Sequence, residues 1–358
     1  MSSYFFKIDY WLWGSVVVLC AVGLVAIASA APQLVLPQTA WIIMGAIVAF
    51  ACCLIDFRPL THHRALALAL YGVAIVLLVA TQLFGPVIRG TRAWLVAGPF
   101  QLQTSEFAKV ALIVVLSYFF ARRHVGIAYL GNICIPLCYA AIPVALILAQ
   151  PDMGSAMIVV GLLVGYFFVS GIRARHIIIG IVLAVAMVVW GWSNLLANYQ
   201  KERIIGLLYP ERDPLGANYN VIQSKIAIGS GGWLGKGFQQ GTQAQLGFLP
   251  EAHNDFIFAT IIEEWGIVGG AVVVGAMMIL LLRIAAIGLS AQHNFARLLC
   301  LGAMIVLLLH VMFNVGSATG LLPVVGVPLS LVSYGGSNII AIFLLIGIIQ
   351  SIALRESF

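Results

Sequence analysis

The sequence predicts an all-α polytopic membrane protein of about ten transmembrane helices, with one large extracytoplasmic loop between the seventh and the eighth. Three observations predict it. The 358 residues are 62% hydrophobic. Only 8% are charged, whereas a soluble globular domain carries roughly 25%, so this chain cannot cover a water-facing surface. Apolar runs near bilayer length recur throughout, and the mean hydropathy is +1.08.

The runs fall at roughly 10–30, 38–56, 64–84, 105–121, 131–150, 152–171, 176–198, 255–284, 295–317 and 333–354. The first is too long for the core of a cleaved signal, and no cleavage site follows it, so it reads as a retained helix. A polar segment runs from Gly85 to Gln103. A longer one, about 199–254, holds most of the polar residues of the chain. A loop of that length is usually functional, and Asn220 to Ile228 predicts a short surface helix within it. Neither a sequence repeat nor a low-complexity tract is present, so residues 1–358 read as a single integral membrane domain.

The formal net charge is +6. The basic residues sit mostly between apolar spans, which points to membrane topology rather than to a nucleic-acid partner. Short basic loops, Arg122-Arg123 and Arg173-Ala-Arg175, place their side of the membrane in the cytoplasm. Both termini are then cytoplasmic, and the 85–103 and 199–254 segments lie outside. An anionic lipid substrate is compatible with the same charge. The six cysteines lie in or beside apolar spans and read as small buried hydrophobes rather than disulfides. With no His-rich spacing either, no protein metal site is expected.

Ionisable groups inside a span cost roughly 2.5–3.5 kcal/mol each on insertion scales, so each is a candidate for function. They are Glu106, Lys109, Asp152, Asp255, Glu263, Glu264 and His310. Glu106 and Lys109, three apart on a helix, are neighbours. They read as a mutual ion pair or as substrate-facing groups. Asp152 follows Gln150-Pro151 at a helix start, where helix stabilisation and substrate binding are both open. Asp255 lies near another helix start with Asn254 as candidate N-cap. An ionised carboxylate there suits removal of a proton from a substrate hydroxyl at the water boundary. Arg92, Arg203, Lys225 and Lys236 are the candidates for holding an anionic leaving group or sugar. Glu263 is about 12 Å further along the helix at 1.5 Å per residue, too far to share that step. It and Glu264 read as structural pairing in the bundle or at the inner side. His310 reads as a buried, hydrogen-bonded histidine. The glycines of Gly229-Ser-Gly-Gly232 and Gly235-Lys-Gly237 match neither a Walker nor a dinucleotide spacing. They read as flexible connections, and ATP and NAD are not expected.

Four segments carry a family resemblance. Trp94 to Lys109 reads WLVAGPFQLQTSEFAK, Gln150 to Ala156 reads QPDMGSA, Asn220 to Asp255 reads NVIQSKIAIGSGGWLGKGFQQGTQAQLGFLPEAHND, and Phe313 to Ser337 reads FNVGSATGLLPVVGVPLSLVSYGGS. Together they resemble the SEDS family of bacterial cell-wall proteins, named for shape, elongation, division and sporulation, and within it the RodA branch. Thr104, Asn254, Ser330 and Asn338 depart from the usual wording, none at a charged position.

The resemblance implies a ten-helix fold in the bacterial inner membrane and a peptidoglycan glycosyltransferase that polymerises lipid II for cell elongation. It implies a class B penicillin-binding protein as partner. The essential acid of the family maps onto Asp255, and its Glu and Lys onto Glu106 and Lys109. The reaction would be one inverting displacement releasing undecaprenyl pyrophosphate. It needs a base and positive charge, from side chains or from a divalent cation (Mg or Mn) at the diphosphate. A lipid II flippase and a non-catalytic scaffold that activates the penicillin-binding protein are the alternatives. Glycan synthesis in detergent, without a sealed bilayer, separates the first from them.

Overall fold

Alternating faces govern the architecture, because a helix that crosses a membrane brings the chain to the opposite side. The computed structural model describes residues 8–59, 63–88, 90–98, 100–123, 130–171, 174–194, 201, 205 and 218–356. Helix α1 spans Tyr10–Ala30, and Asp9 caps it by accepting from the Leu12 backbone N–H at 2.9 Å. A single 3₁₀ turn, Pro32–Leu34, leads into α2, Val35–Leu54. Then come α3 (Arg64–Phe84), α4 (Thr104–Arg123), α5 (Leu130–Ala149), α6 (Met153–Val169) and α7 (Ala174–Asn194). Two loop helices follow, α8 (Tyr219–Gly231) and the single turn α9 (Thr242–Gln245). The chain finishes with α10 (Ile257–Ser290), α11 (Asn294–Thr319) and α12 (Gly336–Glu356).

The ten apolar runs of the sequence correspond to α1–α7 and α10–α12. Among the described residues, seven helices are long and apolar enough to cross a membrane, and α6 and most of α5 are shorter apolar helices. The expected surface helix is α8. The sequence reading missed a hairpin of β1 (Trp94–Ala97) and β2 (Phe100–Gln103), paired antiparallel from Trp94 opposite Gln103 to Ala97 opposite Phe100. Gly98 in its turn has φ +61, a conformation glycine adopts without a Cβ clash.

Asp9 at the start of α1 donates its backbone N–H to Gln350 near the end of α12, and its carboxylate pairs with Arg283 of α10. Arg355 reaches the Cys53 and Leu54 carbonyls at the end of α2. These contacts define one end of the bundle, the terminal face. Ser29, Gln38, Thr81, Thr104, Gln150 and Ser337 meet one another's neighbours at the other end, together with α8 and the hairpin. That end is the loop face. Helices α4 and α12 form the centre, with 83% of their apolar windows buried against 17% for α2. Close approach of α12 to α2 depends on Gly45 against Phe343 and Gly347 against Ala49. Cys20, Cys52 and Cys300 are buried as expected, whereas Cys134 and Cys138 are exposed on the flank of α5.

Helix α10 is broken at Gly266, whose φ of 67° and ψ of −166° are not helical. A break leaves carbonyls before it and N–H groups after it without helical partners. The loop supplies both. Lys236 and Gly237 donate their backbone N–H to the Glu263 and Glu264 carbonyls, each at 2.9 Å. Ile267 and Val268 donate to the Gly232 and Trp233 carbonyls at 3.0 and 3.3 Å. The four bonds clasp residues 232–237 onto the break. Backbone this close excludes a Cβ at Gly231, Gly235 or Gly266. Of the glycines that read as flexible connections, Gly231 and Gly235 are the ones that let two backbones touch.

Candidate active site

Asp255 sits in a run of turns, residues 249–256, not on a helix. Helix α10 starts at Ile257 with Phe256 at the N-cap position and no side-chain cap, so Asn254 does not cap it as expected. The physical reason is Glu251, whose φ of +54° turns the chain back. The backbone N–H groups of both Asn254 and Phe256 then donate to the Glu251 carbonyl. The turn is tied to the bundle at three successive residues. Tyr334 donates its N–H to the His253 carbonyl at 3.1 Å. Ser333 Oγ donates to the Asn254 carbonyl at 2.8 Å. Asn314 Nδ2 donates to the Asp255 carbonyl at 3.1 Å and to the Val327 carbonyl at 2.9 Å. The Asp255 carboxylate lies beside Gly326, where an added Cβ would come within 3.9 Å of Oδ2. Residue 326 has φ +72, so the stretch of backbone facing the acid is one that a side chain would strain.

One helical turn below Asn314 on α11, His310 holds the same segment. Its Nδ1–H donates to the Pro328 carbonyl at 3.0 Å, since a carbonyl can only accept. Nε2 is then the acceptor, and it accepts a hydrogen bond from Lys109 Nζ at 3.0 Å. Lys109 also pairs with Glu106 at 2.8 Å, both side chains being buried. Asn338 Nδ2 completes the Glu106 carboxylate at 3.1 Å. The expected ion pair is therefore present, and the sequence reading missed its link through His310 to the segment that faces Asp255. Breaking one side of a buried, hydrogen-bonded pair typically costs about 3–5 kcal/mol.

The other predicted residues do not all converge here. Asp152 caps α6 by accepting from the Ser155 N–H at 3.0 Å, and it also accepts from Gln103 Nε2 and Ser105 Oγ. It ties the hairpin to α6. Lys236 is engaged with Glu263 at 2.8 Å and with Thr242 Oγ1 at 2.9 Å. Glu263 therefore pairs with the loop rather than at the inner side, and Glu264 accepts from Ser29 and lies at the loop face too. The break at Gly266 is the reason: residues before it belong to the loop block. Lys225 is exposed on α8, lying across Gly320 at the C-terminal end of α11. Arg92 is exposed just before β1. Arg203 lies outside the described residues. Among the described residues, no group of three or more His, Cys, Asp or Glu side chains is placed to hold a metal ion. Asn314 and Ser333 were legible only as parts of the FNVGSATG and SYGGS segments, and Asn338 only as a departure from the family wording just after them.

Fold and site together define a helical membrane protein with an acid pinned where its long loop meets the bundle. A model of the FtsW/RodA/SpoVE family, described as cell cycle protein, matches residues 2–357, and the chain belongs to that family. It is 45% identical over 285 residues to the peptidoglycan glycosyltransferase MrdB of Escherichia coli (strain K12), covering 79% of this chain and 76% of that protein. It is 30% identical over 392 residues to the peptidoglycan glycosyltransferase RodA of Treponema pallidum (strain Nichols), covering 90% of each. Among solved structures it resembles a chain from a peptidoglycan synthase complex that coordinates polymerization and crosslinking, with a TM-score of 0.82, 35% identity and 97% of each chain covered. It also resembles the rod shape determining protein RodA of Thermus thermophilus, with a TM-score of 0.73, 30% identity and 98% of each chain covered.

Proposed function

We infer that this chain is a peptidoglycan glycosyltransferase that polymerises lipid II, with Asp255 as the general base. The observation that carries the assignment of the base is the three-point backbone anchoring of residues 253–255, which fixes one carboxylate at the loop face beside Gly326. A base must stand within hydrogen-bond reach of the proton it removes, and anchored backbone provides that constancy.

In the step, Asp255 takes the proton from the 4-hydroxyl of one GlcNAc. That oxygen forms a bond to the anomeric carbon of a MurNAc on a second lipid-linked glycan, opposite its diphosphate. The carbon–oxygen bond to the diphosphate breaks, and the pair of electrons leaves with undecaprenyl pyrophosphate. The α-linkage becomes β. A diphosphate leaving group needs positive charge rather than a proton. Lys225 and Arg92, both exposed at the loop face, are candidates for it among the described cations. Lys236 serves Glu263 instead. Mg or Mn would bind the diphosphate through phosphate oxygens and water, as Mg usually does. The described side chains offer no group of three or more His, Cys, Asp or Glu to hold it by themselves.

The terminal face is cytoplasmic and the loop face periplasmic in this reading, because Arg122 and Arg123 end α4 on the terminal side. The membrane is then the bacterial inner membrane. The partner is a class B penicillin-binding protein, supported by the likeness to a chain of a synthase complex. The test is polymerisation of lipid II in detergent. A general base contributes about 10²–10⁴-fold, so Asp255→Asn should lose that factor while inserting and folding normally. Glycan made by this variant at near the original rate would remove Asp255 from the role, and lipid II left unchanged by the unaltered protein would remove the polymerase reading.

A further inference from the structure

The buried residues of α2 are Gln38, Gly45, Ala49 and Cys52. Their helical spacing puts them on one face, the face against α12. Gly45 and Ala49 make the close approach there, and that approach needs no polar group. Gln38 is 1% exposed. It extends the same stripe to the loop face, where it meets the chain just before α12 begins. Its Nε2 donates to the Ser333 carbonyl at 3.0 Å, and its Oε1 accepts from the Gly335 N–H at 3.3 Å. The partners fix the amide orientation, since a carbonyl can only accept and an N–H can only donate. One side chain thus grips the main chain at two points. Trp41, on the next turn of α2, covers Gly336 so closely that a Cβ there would enter its indole ring. The gripped segment follows a bend in which Leu331 has φ +68°, a conformation uncommon for residues that carry a side chain. Such a bend persists only where its surroundings hold it.

The gripped residues are the ones that hold the Asp255 turn. Ser333 Oγ donates to the Asn254 carbonyl at 2.8 Å and accepts from the Leu329 N–H at 2.9 Å. The Tyr334 N–H donates to the His253 carbonyl at 3.1 Å. We propose that Gln38 is a positioning residue for glycosyl transfer: it keeps residues 333–335 in the place from which they hold the turn that carries Asp255. This rests on the reading of Asp255 as the general base, and it adds the side chain on α2 that keeps the base in register. A base works only within hydrogen-bond reach of its proton. A misplacement of about 1 Å, caused far from the chemistry, can cost about 10²-fold in rate. An amide that served the fold alone would lower stability and leave the rate per folded molecule unchanged.

The experiment measures lipid II polymerisation by the full chain in detergent, with rates taken per folded molecule from the monodisperse fraction. Gln38→Met nearly keeps the volume of the side chain and removes both bonds. It should lower kcat about 10- to 100-fold and leave KM within about twofold. Gln38→Asn keeps the amide but is one methylene short. It should fall between, and it carries the test if Gln38→Met does not fold. In the Asp255→Asn background, adding Gln38→Met should change the remaining rate by less than about twofold, because a residue that acts through the base has nothing left to place. Gln33→Met, the same exchange at an exposed position in the turn before α2, should change neither constant. Four results would overturn the proposal while leaving Asp255 as the base: an unchanged kcat in the Gln38 variants, a raised KM with kcat intact, an equal loss in Gln33→Met, or the full loss repeated in the Asp255→Asn background. Failure of both Gln38 variants to fold would also overturn it, by making the amide a support of the fold. Near-original activity in Asp255→Asn alone would overturn both readings together.

Discussion

Replacing Lys236 with methionine tests whether that cation holds the loop or the substrate. Glu263 is fully buried and accepts from Lys236 Nζ at 2.8 Å, Thr242 Oγ1 at 3.2 Å, and the Gln243 and Ala244 N–H groups at 3.0 and 3.4 Å. Removing the lysine strands a buried carboxylate, which costs about 3–5 kcal/mol where no other donor remains. Three donors do remain, and the lysine is 26% exposed, so solvent already screens part of the attraction. The expected loss is about 2–3 kcal/mol, a drop of roughly 5 °C in the unfolding midpoint. Glu263→Gln should cost about 1.5–3 kcal/mol, the worth of hydrogen bonds to a charged group. The double variant should lose about 1–2 kcal/mol less than the sum, within the range for contacting residues. The assay pairs thermal unfolding in detergent with polymerisation kinetics. A positioning lysine changes kcat through the loop block and leaves KM nearly constant. An unshifted midpoint in Lys236→Met, with KM raised tenfold or more, would refute the argument and return Lys236 to the diphosphate.

Further outcomes follow from the same geometry. Gly235→Ala should destroy the clasp, because its Cβ would overlap the Glu264 backbone and φ is +80; the αL penalty alone is about 1–2 kcal/mol, and fluorescence-detected size exclusion should show loss of the monodisperse peak. Gly229→Ala, on α8 with open space around it, should be neutral or gain up to about 1 kcal/mol in unfolding experiments. Lys109→Met should destabilise by about 3–5 kcal/mol, and adding Glu106→Gln should recover much of it by removing the stranded charge. Asp152→Ala should cost about 0.5–2 kcal/mol, the worth of an N-cap, with polymerisation of lipid II reduced no more than the folded fraction.

The helices of the bundle were legible because hydropathy is a property of runs, and among the described residues seven of them are as long as the membrane demands. Pairing of Glu106 with Lys109 was legible because helical spacing makes them neighbours. The hairpin was not, since four-residue strands inside a polar segment carry too little alternation to distinguish them from a loop. Lys236 was assigned to the substrate because a sequence does not show that Gly266 breaks α10 and turns Glu263 toward the loop. His310 was recognised as a hydrogen-bonded core residue, but its partners, Lys109 and Pro328, lie on either side of it in the chain and meet only through packing. Asp255 was singled out as a charge near a helix start, where the structure has it in the turn just before α10; its neighbours Asn314 and Ser333 are uncharged, and uncharged residues leave no trace in a search for buried charge.

An even number of crossings returns the chain to the side from which it set out, and Asp9 meets Gln350 there. The bundle is thus nearly a closed ring in sequence space, with a seam at the terminal face. A circular permutant that joins the two ends by a short linker and opens instead between α10 and α11 would keep every helix pointing the way it does now. Helices α11 and α12 would enter the bilayer first instead of last, while the destination of each helix would stay the same.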